Sequence, residues 1–78
     1  MSNFCEIEEL YLDIKNVEIR RNVSRRTINA LINRLNTRTV REMMELDPVA
    51  IMETRQLGIK ALKEIFWFRK WAGEWMSR

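Results

Sequence analysis

Ile7, Leu10, Tyr11 and Ile14 follow an i, i+3, i+4, i+7 spacing, so residues 6–15 read as a short amphipathic helix. The period then breaks. Val17 and Ile19 alternate with polar neighbours, which predicts an extended connector over residues 16–22. Ser24 is placed to cap a second helix reaching about Leu35, with Ile28, Leu31, Ile32 and Leu35 as its buried stripe and Asn36 as its stop. Thr39 with Glu42 three positions on forms a capping box for a short helix through Val40, Met43 and Met44. Asp47-Pro48 is an N-cap followed by proline at the first helical position, and a further short helix runs from it to about Glu53. Gly58 precedes the longest helix, Ile59 to about Trp75, whose inner face is Leu62, Ile65, Phe68 and Ala72.

This pattern predicts an all-α fold. It is a compact bundle of four to five short helices with helix-hairpin-helix-like units, closed by a long C-terminal helix. Residues 1–22 form an N-terminal helix and connector, residues 23–78 the main helical domain, and the two make one folded unit. With 78 residues the chain is near the lower limit for a self-sufficient core. No apolar run approaches the roughly 20 residues that cross a bilayer, and no signal-peptide pattern opens the chain. A cytoplasmic protein with no membrane partner is expected.

Candidate chemistry is sparse. The single cysteine, Cys5, excludes an internal disulfide, and there is no histidine. A zinc site and the histidine-dependent nucleophilic triads therefore lack their residues. The carboxylates sit at helix-surface spacings, which favours a solvated face over acid–base catalysis. We expect no catalytic residue, no metal, no cofactor and no enzyme.

Charge changes the picture more than composition does. Residues 20–41 carry seven arginines and no acid, whereas residues 1–19 carry five acids against one lysine. Residues 42–54 hold four acids and no base, and residues 55–78 turn basic again, six against two. Folding such blocks together polarises the surface, and the planar guanidinium suits phosphate. Helix faces that pair with one another are the alternative reading of the same blocks.

Two basic segments carry more than charge. Val23-Ser24-Arg25-Arg26-Thr27-Ile28-Asn29-Ala30-Leu31 and Arg55-Gln56-Leu57-Gly58-Ile59-Lys60-Ala61-Leu62-Lys63-Glu64-Ile65 each open a helix with basic groups beside free N–H donors. Together with Thr39-Val40-Arg41-Glu42-Met43 between them, and Ile7-Glu8-Glu9-Leu10 before them, they stand in the order of four motifs of a known family. The chain resembles the C-terminal domain of the bacterial RNA polymerase alpha subunit over about residues 23–65. Departures from that pattern are Ala30 for a cysteine, Ala61 for a serine, an extra dozen residues from Tyr11 to Asn22, and one inserted residue between Leu31 and Val40. The missing hydroxyl at Ala61 removes one phosphate donor, a loss of about 0.5–1.5 kcal/mol.

The resemblance implies a DNA-binding transcription module that docks on A/T-rich double-stranded DNA through the minor groove and flanking phosphates. It implies a groove-entering role for Arg26, a polar contact for Asn29, phosphate gripping by Gly58 and Lys60, and an orienting role for Glu64. Arg25 adds a neighbouring positive charge. It also implies RNA polymerase subunits or transcription factors as partners, in the cytoplasm of a bacterial or bacteriophage-infected cell. The physics of the residues agrees. A narrow A/T minor groove attracts an arginine. A residue without Cβ lets phosphate reach the N–H groups of the following helix.

Trp67, Trp71 and Trp75 recur every four residues on the last helix and give it an added apolar face. Cover by the N-terminal segment (Tyr11, Ile14, Val17, Ile19) is the first reading. A homodimer seam or a docking surface for a transcription protein is the second. That second reading supports the alternative function, a protein-interaction module with little DNA affinity.

Overall fold

The computed structural model describes residues 5–54 and 57–77. The first apolar stripe forms helix α1 (Ile7–Leu12), which buries Ile7, Leu10 and Tyr11. The helix is shorter than the periodicity predicts. Asp13 turns extended and its carboxylate accepts from the Lys15 N–H, starting a separate 3₁₀ turn over Ile14–Asn16. Ile14 is thereby left 84% exposed, so it is no part of the stripe.

The expected extended connector is instead helix α2 (Val17–Asn22). Only Ile19 of its two apolar residues is buried, and Val17 stays 45% exposed. A six-residue helix gains little from propensity, and its stability must come from tertiary contacts. Here the Arg20 guanidinium donates to the carbonyls of Tyr11 and Asp13 at 2.7 and 2.8 Å, tying α2 to the end of α1. The buried Tyr11 hydroxyl donates to the Val23 carbonyl at 3.0 Å and fixes the exit of α2.

Helix α3 (Arg25–Asn33) starts at Ser24, whose side chain accepts from the Thr27 N–H, as predicted. It ends at its C-cap Arg34, and two residues on Asn36 adopts a left-handed φ of 51°, a conformation asparagine tolerates. That reversal lets the Thr37 N–H donate to the Leu31 carbonyl at 2.9 Å. The Thr39–Glu42 capping box then opens α4 (Val40–Glu45). The N–H groups of Arg38 and Thr39 both donate to the Glu42 carboxylate, which holds its pKa below the ordinary value. Asp47 and Pro48 open α5 (Pro48–Glu53).

Gly58 caps the 18-residue α6 (Ile59–Met76), which buries Ile65, Phe68 and Ala72. Helices α2, α3 and α4 all pack on it. Six α-helices are thus present among the described residues, against the four to five expected, because α2 is one of them. An antiparallel bridge joins Glu6 to Thr39. Around it the Ile7 N–H donates to Arg38 and the Val40 N–H to Cys5, which ties the N-terminal segment to the start of α4. One hydrophobic cluster runs from Ile7, Leu10, Tyr11 and Ile19 through Ile28, Leu31 and Met43 to Ile65 and Phe68. No helix among the described residues is long and apolar enough to cross a membrane.

Candidate nucleic-acid interface

Glu64 organises the interface. It is 8% exposed, one turn into α6, and its Oε1 accepts from the Ser24 N–H and from the Thr27 hydroxyl, both at 2.7 Å. A carboxylate on one helix thus binds the first turn of another, where the N–H groups and helix dipole favour negative charge. Burial pushes its pKa up. The Ser24 N–H, the Thr27 and Ser24 hydroxyls and the Lys60 charge outweigh that, so the net shift is downward. The effect is to hold the beginnings of α3 and α6 side by side.

Between them runs a groove of about 980 Å³. From α3 and its C-cap it is lined by Arg26, Asn29, Ala30, Asn33 and Arg34, and from the α6 side by Leu57, Gly58, Lys60, Ala61 and Glu64. Arg26, Asn29, Gly58 and Lys60 are all exposed. The structure therefore brings together five of the six residues expected to bind DNA.

Gly58 has an ordinary extended backbone (φ −74°, ψ 166°), so no turn geometry demands glycine there. A Cβ built on it would meet nothing within 4 Å. No side chain caps α6, and its first intrahelical bond is Leu62 N–H to Gly58 carbonyl at 3.1 Å. The N–H groups of Ile59, Lys60 and Ala61 therefore precede that ladder, and Lys60 adds a full charge beside them.

Arg25 is the exception. Its guanidinium pairs with Glu8 of α1 and lies 5.9 Å from the centre of the Tyr11 ring, so it faces α1 and not the groove. Adjacent helical residues diverge by about 100° around the axis, which is why Arg25 and Arg26 part company. Asn33 and Arg34 were not among the expected contacts. Their signal was the spacing 26, 29, 33/34, the polar counterpart of the buried stripe on the same helix. The Arg55-Gln56 start of the third motif lies outside the described residues.

The tryptophan stripe lies elsewhere on α6. Trp67, Trp71 and Trp75 are half-buried against the core, with Trp71 and Trp75 stacked at a centroid distance of 5.9 Å. Glu18 of α2 joins Trp67, Lys70, Trp71 and Glu74 around a cleft of about 230 Å³. The N-terminal segment therefore covers the stripe in part, through α2, while the exposed Ile14 and Val17 do not contribute as expected. No cluster of three metal-ligating side chains occurs among the described residues. Comparisons of the chain with protein-family models, with curated proteins and with solved structures found no match.

Proposed function

We propose that this protein is a DNA-binding transcription module, non-catalytic and acting in the cytoplasm, that docks on A/T-rich duplex DNA through the α3–α6 groove. The observation that carries the reading is the shared groove. An arginine at one helix start and a glycine-lysine pair at another face a single opening, although they are 32 to 34 residues apart in the chain. Arg26 enters the minor groove, where narrow A/T tracts concentrate negative potential. Asn29 offers an amide that donates to the acceptor atoms on the groove floor. The start of α6 takes a flanking phosphate on its N–H groups, and Lys60 neutralises it. The likeness to the RNA polymerase alpha C-terminal domain supports the same assignment.

Electrophoretic shift on A/T-rich and G/C-rich duplexes at two salt concentrations tests this. Tighter binding to the A/T duplex is expected, weakening steeply with salt through counterion release. Arg26→Ala should abolish the A/T preference. Lys60→Ala should weaken all duplexes and lower the log–log salt slope by about 1. Gly58→Ala should weaken binding with little change in stability, since the loss of an N-cap glycine and the gain in chain stiffness are each below about 1 kcal/mol. Binding by all three variants equal to the parent would refute the reading.

The tryptophan cleft favours a second reading, a protein-interaction module that binds RNA polymerase subunits or transcription factors, or that self-associates through the stripe. It predicts no shift on either duplex, together with retention by purified RNA polymerase or a concentration-dependent dimer.

A further inference from the structure

The groove is longer than a single anion needs. Arg26 and Arg34 both line it, one in the first turn of α3 and the other at its C-cap. Eight residues at 1.5 Å each separate them by about 12 Å along the helix. No one phosphate can meet both backbone positions at that spacing, whereas phosphates on one DNA strand follow each other every 3.4 Å or so along the duplex axis. The groove side of α3 thus matches a run of phosphates.

Charge agrees with length. Among the described residues that line the groove, Arg26, Arg34 and Lys60 are the cations and Glu64 is the only acid. That carboxylate is committed to the Ser24 N–H and the Thr27 hydroxyl. Asn33, exposed beside Arg34, adds an amide donor at the same end without adding negative charge. An extended polyanion gains from every cation along such a channel, while a compact anion uses one end only.

We propose that Asn33 and Arg34 form a distal phosphate-binding position, so that the groove holds several consecutive nucleotides of a duplex backbone between Arg34 and the start of α6. This rests on the duplex-DNA reading above and extends it from a two-point contact to a tracked rail.

Arg34→Gln in the full chain tests it, with Arg34→Lys as the rescue. On A/T-rich duplex, Arg34→Gln should lower affinity roughly tenfold, in line with a lost charged hydrogen bond. It should also reduce the log–log salt slope by about 0.9 while leaving the A/T over G/C preference intact. Arg34→Lys should restore the slope. Asn33→Asp, which puts a negative charge at the same end, should weaken binding as well. All three substitutions fall at two exposed positions, and unchanged far-ultraviolet dichroism and melting temperature verify the fold.

If Arg34→Gln and Asn33→Asp keep the parent's affinity and slope while Arg26→Ala loses the A/T preference, the distal position is refuted and the DNA reading stands. If the parent binds no duplex, both fall together. A tenfold loss that Arg34→Lys does not restore, with the slope unchanged, also overturns the proposal, because it assigns Arg34 a role other than charge.

Discussion

Glu64 decides at the scale of one residue whether the two helix starts stay together. Its carboxylate receives the Ser24 N–H and the Thr27 hydroxyl, and its pKa is lowered as a result. A depressed carboxylate stabilises the fold fully above the unfolded value, near pH 4.5, and that contribution is lost as pH falls through the lower folded value. Stability should therefore be level from neutral pH to about pH 5 and decline below it, and Glu64→Gln should flatten that decline in acid unfolding curves. Glu64→Ala leaves a buried hydroxyl and an N–H without their acceptor. A loss of about 2–3 kcal/mol is expected in urea denaturation, with DNA affinity falling even under conditions where the variant remains folded. Arg25 and Arg26 make the complementary point. They have the same chemistry one position apart, and only helix phase sends one to Glu8 and the other to the groove.

Individual elements are unevenly self-determined. Helices α3, α4 and α5 begin where local chemistry says they must, because Ser24, Thr39 and Asp47 satisfy free N–H groups within three residues of themselves. Helix α2 has no such cap, and its alternating Val17 and Ile19 imitate a strand. It exists because Arg20 and Tyr11 bind it to α1 from a distance in sequence. Tyr11→Phe removes the hydroxyl that the Val23 carbonyl receives and leaves that carbonyl unpaired. A loss of about 1–2 kcal/mol is expected, read as a fall of roughly 5–10 °C in melting temperature. DNA binding measured well below that temperature should be unchanged, since neither group lines the groove.

For the whole molecule, the question is whether residues 1–22 are an appendage or part of the core. Ile7, Leu10, Tyr11 and Ile19 are buried in the same cluster as Ile65 and Phe68. At about 1.5–3 kcal/mol for each buried large apolar side chain, they contribute roughly 6–12 kcal/mol. That is comparable to the entire net stability of a small domain, about 5–15 kcal/mol. A chain shortened to residues 23–78 should therefore show no cooperative thermal transition by circular dichroism. A sharp transition with near-native helicity would show that the main domain stands alone. The same packing sets the charge layout. It folds the acidic α1 against one side of α3, where Glu8 takes Arg25, while Arg26 and Arg34 line the groove on the other side.

Apolar spacing and caps, both local quantities, determined the all-α class, the starts of α3 to α6 and most of the buried stripe. Short-range chemistry leaves a mark in the sequence because its partners are three or four residues apart. Whether residues 16–22 are helix or connector depended on partners such as Tyr11, outside any local window. The joining of Ser24 to Glu64 spans 40 residues, and no periodicity encodes which distant helix ends meet. Only the packed core, by bringing those ends within hydrogen-bond reach, made one groove out of two separate basic segments.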